Sequence, residues 1–347
     1  MILAGGIGSR FWPASTPARP KQLLALASER PLIVDTVHRA QALTSTDRIR
    51  ILTGTHLVPP FRSVLPDLPE SCYWVEPRAR GTGPVLAWAA HRMHRQDPEA
   101  VMISLHADHV IEPESAFLEL LPRAAALARE RDLLFTIAVP PDRPETGYGY
   151  IRPGEPVSEE RELEAWRVGA FVEKPDRATA EIYVRDGYLW NSGIFLWPVD
   201  RFLEEVRLHA PEIGRHLSLL DRGEDEAFFQ VVPSVSVDEA VLERSGRVGT
   251  VKATFAWDDV GSWNAMTRTV PGDADGNHCR GDAHPVESRN SVVWAEDGPV
   301  VLFGVEDVVV VRSQGLTLVT HRKKSADLKD LLARLPDDLT EPEGGRP

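Results

Sequence analysis

The chain has 347 residues, enough for two domains as a soft prior, with 42% hydrophobic and 26% charged residues, ordinary for a soluble globular protein. A formal net charge of −13 argues against a nucleic-acid partner held by phosphate neutralisation, but not against one nucleotide at a local basic site. Only Cys72 and Cys279 are present, so a disulfide framework is excluded and a reducing cytoplasm fits; without a basic leader or an apolar run near ~20 residues, neither export nor a membrane span is expected.

Residues 1–4 read as a short apolar strand, followed by Gly5, Gly6 and Gly8 and then by Ser9 and Arg10. Glycine reaches positive φ cheaply, and consecutive exposed N–H groups at a strand end form an anion nest. Arg10 can fork two phosphate oxygens, and Lys21, behind Pro13, Pro17 and Pro20, can act as a mobile point charge. The stretch therefore reads as a phosphate-binding loop, or as a plain glycine turn. Two known phosphate motifs are excluded: no Lys follows Gly8, and Phe11 stands where the dinucleotide fingerprint wants its last glycine.

Residues 31–40 read as a helix, 50–54 and 72–77 as short strands, and 83–94 as a helix. Residues 100–105 form a continuous apolar strand of the kind buried on both faces of a parallel sheet, then comes the helix 116–131 and the buried strand 133–139. Strands alternating with helices predict a doubly wound α/β domain with a Rossmann-like mixed sheet. Ligands bind at the carboxyl ends of such strands, so residues 5–21, 76–84 and Asp108 are expected at one crevice. Residues 146–151 read as a loop entering a strand, 168–175 and 190–197 as strands, and 202–220 and 238–244 as helical.

From about Asn264 the pattern changes. Residues 290–294, 300–303, 308–311 and 316–319 are short β segments split by Gly, Asp and Ser, which predicts a small all-β domain of stacked coils. Ser325 is expected to cap a last helix over 327–335, and the tail 341–347 to be disordered. The expected domains are 1–264 and 265–347.

Asp108, at a strand end, suits a hard cation, or else caps a following helix. The adjacent Asp258 and Asp259 form a second acidic point, or a turn. Lys174, between Glu173 and Pro175, can bind a phosphate or remain a solvated ion pair. Asn191 and Gly193 can serve a polyol or a turn. His106 with His109, and His278 with Cys279 and His284, have metal-like spacing, but ordinary polar edge residues account for both.

Taken together, these segments resemble one family. Residues 3–13 with Pro20-Lys21-Gln22 are similar to the signature of sugar-phosphate nucleotidyltransferases, and the forms Phe11-Trp12-Pro13 and Pro20-Lys21-Gln22 to its bacterial mannose-1-phosphate guanylyltransferases. Glu76-Pro77, residues 107–111, 147–151, 171–175, 190–195 and 257–263 follow in that family's order. The resemblance implies that Leu3, Ala4, Gly5, Gly6, Gly8, Ser9 and Arg10 cradle the nucleotide, with Glu76, Arg80, Thr82 and Asp108 completing its site. It implies that Arg10, Lys21 and Asp108 serve catalysis, that Asp108 and Asp259 hold Mg2+, and that Gly147, Glu173, Lys174 and Asn191 hold the sugar phosphate. GTP and mannose 1-phosphate would give GDP-mannose, on a homodimer supported by a left-handed β-helix-like carboxyl domain. About 80 residues follow Asn264, so the isomerase domain of longer members, and its activity, are not expected.

One run departs from the family's Glu-Pro-x-x-Arg-Asn-Thr-Ala-Pro: Gly81 and Gly83 replace Asn and Ala, in a segment near the base. Use of glucose 1-phosphate with UTP or dTTP, or a non-catalytic regulatory role on the same fold, stays open at this point.

Overall fold

The computed structural model describes residues 1–6, 8–158, 160 and 162–340; the expectation for the tail 341–347 falls outside the described residues. In chain order the first strands are β1 (Ile2–Leu3), β2 (Ile51–Thr53), β3 (Tyr73–Val75), β4 (Val101–His106), β5 (Val110–Glu112) and β6 (Leu134–Val139). They are followed by β7 (Gly149–Pro156), β8 (Ala165–Glu173), β9 (Leu189–Pro198), β10 (Val248–Lys252) and β11 (Ala256–Asp258). Among the described residues, nine of these form one sheet in the order β3-β2-β1-β4-β9-β6-β10-β8-β7. The β3-β2-β1-β4 half is parallel, and β9 inserts antiparallel between β4 and β6.

Both faces are covered, which is why β6 reads as an unbroken apolar run. Helices Leu32–Leu43 and Glu114–Arg131 place Ile33, Val37, Phe117 and Leu121 on one face. Helices Thr82–Gln96 and Val199–His209 place Trp88, Phe202 and Val206 on the other. Each such side chain contributes on the order of 1.5–3 kcal/mol of burial. The stretch 202–220, expected to be helical, is so in three pieces, Val199–His209, Pro211–Gly214 and Leu217–Asp221, because Pro211 lacks an N–H. Residues 238–244 are helical only as a π turn, Asp238–Leu242. β5 and β11, three residues each and invisible to pattern reading, pair as a separate ribbon, Trp257 opposite Ile111 and Asp258 opposite Val110. That ribbon carries Asp258 and Asp259 to the chain that follows Asp108.

The carboxyl region contains β12 (His278–Val286), β13 (Val292–Phe303), β14 (Val308–Ser313) and β15 (Leu316–His321). The first three run parallel, and β15 returns antiparallel. The segments 290–294 and 300–303 belong to one strand, with Gly298 at φ 130 absorbing the bend between them. Ser325 does not cap a helix: its hydroxyl donates to the Arg322 carbonyl, and the expected helix is the shorter Leu328–Leu332, with a further turn at Asp337–Thr340. A shared core of Phe11, Trp12, Leu24, Trp263, Val292, Trp294 and Val309 joins this region to the glycine loop. Among the described residues, no helix is long and apolar enough to cross a membrane.

Candidate functional site

The glycine loop leaves β1 at its carboxyl end. Its carbonyls are held from behind: Gln22 Nε2 donates to the Gly6 carbonyl at 2.9 Å, and Ser15 Oγ to that of Gly8 at 2.7 Å. Among the described residues, the amides of Gly5, Gly6, Gly8, Ser9 and Arg10 donate to no internal acceptor. Unpaired N–H groups at a strand end suit an anion. Gly8 has φ 73, and a Cβ there would meet the Lys21 Cβ at 2.3 Å, so only glycine lets the lysine pass.

Lys21 is buried, 6% exposed. Its ammonium donates to Asp108 Oδ2 at 2.7 Å and to the Asp259 main-chain carbonyl at 2.6 Å. Burial alone would push the Asp108 carboxyl up, but the Lys21 ammonium beside it outweighs that and holds the group down at about 2. Burial pushes the Asp259 carboxyl up, against the pull of Lys21. Tyr148 donates its hydroxyl to Asp259 Oδ1 at 2.5 Å, and burial followed by the Asp259 charge pushes that phenol up. Arg143 stacks over Trp190 at 4.9 Å and reaches the Tyr148 hydroxyl at 3.3 Å. Asp108 is followed by β5, so it caps no helix.

The three loops expected at one crevice do meet. A cleft of about 300 Å³ is lined by Leu3, Gly5, Gly6, Gln22, Glu76, Gly81, Thr82, His106 and Asp108 among others. Ala4 is fully buried beneath it. Glu76, in the cleft wall, has its carboxyl raised to about 7 by burial. Arg80 is turned away: its guanidinium donates to the Phe229 carbonyl at 2.8 Å and the Gln230 carbonyl at 3.2 Å. Thr82 Oγ1 accepts from the Val237 amide at 2.9 Å. Arg10 is exposed and Ser9 half-exposed, and Arg10 donates to the Gly261 carbonyl at 3.4 Å.

The family departure at Gly81 and Gly83 has a local cause. Val235 and Arg80 pair through the Val235 amide and Arg80 carbonyl at 3.1 Å, and the Gly83 amide donates to the Val235 carbonyl at the same distance. A Cβ on Gly81, where φ is 77, would meet that carbonyl at 2.7 Å, and one on Gly83 at 3.0 Å.

On the far side of the cleft, Lys174 has φ 46, and its ammonium donates to Glu173 Oε1 at 2.5 Å. Gly147 is exposed, its amide donating to Glu145 Oε1 at 3.2 Å. Asn191 lies inside β9 rather than in a turn, and its carboxamide spans Thr136 and Asp238. Sequence reasoning misses Tyr148, Arg143 and Asp238, because a lone Tyr, Arg or Asp carries no spacing signal; only the Gly147-Tyr148-Gly149 loop hints at the first.

For a metal, the Asp108 carboxylate beside the Lys21 ammonium and the Asp259 carboxylate beside the Tyr148 hydroxyl are hard oxygen donors of the kind that suits a cation such as Mg2+. His106, Asp108 and His109 also bring ligand atoms within 4.8 Å of one another. Here chemistry intervenes. The Trp257 indole N–H can only donate, and it lies 3.0 Å from His109 Nδ1. His109 is thus an acceptor at Nδ1. Burial holds its pKa well below the usual range, so the ring is neutral, with its proton on Nε2 and no lone pair left for a metal. His278, Cys279 and His284 do not assemble: His278 Nδ1 faces the Val270 carbonyl at 2.7 Å, and His284 pairs with Asp282.

Residues 1–275 match the nucleotidyl transferase family and residues 281–335 the MannoseP isomerase/GMP-like beta-helix domain. Fold and site together define a nucleotidyltransferase. The chain is 37% identical to the mannose-1-phosphate guanylyltransferase of Escherichia coli strain K12, over 97% of this chain and 73% of that one. It is 34% identical to the alginate biosynthesis protein AlgA of Pseudomonas aeruginosa, over 96% and 71%. Among solved structures, a protein described as mannose-1-phosphate geranyltransferase from Thermus thermophilus superimposes with a TM-score of 0.87 at 30% identity, over 96% of this chain and 97% of that one. The chain belongs to the mannose-1-phosphate guanylyltransferase family.

Proposed function

We propose that the protein transfers GMP from GTP to α-D-mannose 1-phosphate, giving GDP-mannose and pyrophosphate. The reading is carried by one observation: Lys21, Asp108 and Asp259 converge beside a glycine loop in which, among the described residues, the amides of Gly5, Gly6, Gly8 and Ser9 are unpaired. In the reaction a mannose 1-phosphate oxygen attacks the α-phosphorus of GTP in line. The bond from that phosphorus to the β-bridging oxygen breaks, and pyrophosphate leaves with the electron pair. Positioning and charge stabilisation supply most of the acceleration in such a transfer.

The amides of Gly5, Gly6, Gly8 and Ser9 bind the triphosphate, over the floor of Leu3 and Ala4. Lys21 swings its ammonium from Asp108 to the reacting phosphates, and Arg10 offsets charge on the leaving pyrophosphate. Glu76 and Thr82 line the base and ribose side, where Arg80 acts through the chain that it holds. Gly147, Glu173, Lys174 and Asn191 hold the sugar phosphate. Asp108 and Asp259 would hold Mg2+, which when bound offsets phosphate charge.

We divide the chain at 264/265 and place it in the cytoplasm as a homodimer. Pyrophosphate release with GTP, ATP, UTP and dTTP against mannose and glucose 1-phosphates, with and without Mg2+, tests the reading. Preference for UTP or dTTP with glucose 1-phosphate overturns the substrate assignment, and no turnover with any pair overturns the enzyme.

A further inference from the structure

A half-buried carboxyl beside the proposed sugar-phosphate residues has no place in the sequence motifs. Asp238 opens the π turn Asp238–Leu242, a rare geometry that recurs at functional positions. Its Oδ1 accepts from Asn191 Nδ2 at 2.9 Å. The Asn191 orientation is fixed by chemistry: the Gly193 amide, which can only donate, points at Asn191 Oδ1 from 3.3 Å, and Thr136 Oγ1 donates to the same oxygen at 2.7 Å. The carboxamide nitrogen must therefore face Asp238, and it keeps one further N–H to give.

Glu173 and Lys174 stand close by. Burial, and then the Glu173 charge, hold the Asp238 carboxyl up at about 7. Keeping one carboxyl beside another in a half-buried place costs stability, and an asparagine would fill the same space without that cost. The Lys174–Glu173 and Asn191–Asp238 pairs adjoin, since Gly149 lies against both Glu173 and Asn191, and together they offer an ammonium suited to a phosphate and oxygens that accept from hydroxyls.

We infer that Asp238, locked to Asn191, accepts a hydrogen bond from a ring hydroxyl of the sugar 1-phosphate and thereby determines sugar specificity. The inference rests on the proposed transferase reading. The alternative is that Asp238 only anchors the turn.

The test pairs variants with substrates that lack single hydroxyls. Wild type, Asp238→Ala and Asp238→Asn are assayed for pyrophosphate release with mannose 1-phosphate and its monodeoxy analogues, and melting midpoints check folding. Asp238→Ala is expected to raise KM for the sugar phosphate roughly 10–100-fold, the scale of one hydrogen bond to a charged group, with KM for GTP within about twofold. Asp238→Asn, which keeps an acceptor oxygen, recovers part of the loss. One deoxy analogue loses a similar factor with wild type and loses nothing further with Asp238→Ala. An unchanged deoxy penalty in both folded variants, or an equal rise in KM for GTP, overturns the inference. If wild type turns over a different sugar 1-phosphate, the substrate reading fails and the same cycle with that sugar still decides on Asp238. If wild type turns over none, both fall.

Discussion

Lys21 and Asp108 form an ion pair of 2.7 Å at the bottom of the cleft, 87 residues apart in sequence. The same ammonium donates to the Asp259 main-chain carbonyl at 2.6 Å, so on the proposed reading the lysine leaves the Asp108 carboxylate when nucleotide and cation bind. Replacing Lys21 by Ala is expected to lower kcat by on the order of 10²–10³, the scale for a lost charge-stabilising donor, with a smaller change in KM. Gly8→Ala should approach the same defect, since its Cβ would displace the Lys21 stem, and it should also lower the melting midpoint because of φ 73. Steady-state pyrophosphate release reads both; near-normal kcat in Lys21→Ala removes the lysine from the mechanism.

Glu76 makes a pH prediction. Its carboxyl titrates near 7 when folded and near 4.5 when unfolded. Between those values the folded chain holds a proton that the unfolded chain has lost, so folding stability falls as pH rises from 4.5 to 7 and then levels off. Glu76→Gln removes this dependence. Its stability relative to wild type should rise across that window by roughly 1–2 kcal/mol, allowing for the group's partial exposure, and stay constant above it. Chemical denaturation at pH 4.5, 6 and 8 measures this. A gain that is flat across the series contradicts the assignment.

Gly81→Ala should cost roughly 1–3 kcal/mol and disturb the cleft, because φ 77 and the Val235 carbonyl at 2.7 Å leave no room for a Cβ. Gly83→Ala, at 3.0 Å from that carbonyl and with no positive φ, should cost less. The expected order of melting midpoints is wild type, Gly83→Ala, then Gly81→Ala. If Gly81→Ala melts as wild type does, the backbone approach is not what keeps glycine there.

The parts of the fold visible in the sequence are those in which local pattern and burial agree. β4 and β6 are runs of apolar residues, and the helix Glu114–Arg131 has a clean apolar stripe, so each is legible within about two residues. The β5–β11 ribbon is not, because three-residue strands owe their pairing to residues about 145 positions away. The site follows the same division. Gly5, Gly8 and Lys21 announce themselves by spacing, and the rule of strand carboxyl ends brings Glu76 and Asp108 to them. Asp238 and Tyr148 become visible only when the Asn191 and Asp259 side chains supply their partners. Gly81 and Gly83 look like altered base recognition in one dimension, and in three they are the footprint of Val235.

Trp263 should behave as a linchpin of the shared core. It is fully buried, 5.0 Å from Phe11 and 5.5 Å from Trp294 between ring centroids. Trp263→Ala is expected to cost about 3–5 kcal/mol and to weaken both regions together, keeping a single unfolding transition. Two separated transitions in calorimetry would mean that the regions melt independently.

That core also sets an order of events during synthesis. The Trp263 indole donates to the Trp12 carbonyl at 3.1 Å, 251 positions away, and Gln314 Nε2 reaches the Pro13 carbonyl at 3.0 Å across 301 positions. The glycine loop is therefore made well before the segments that hold the chain behind it. At roughly 5–20 residues per second the loop waits tens of seconds for the segments that underlie it. The glycine loop of the newborn chain therefore takes its final support only once Trp263 and Gln314 have been made.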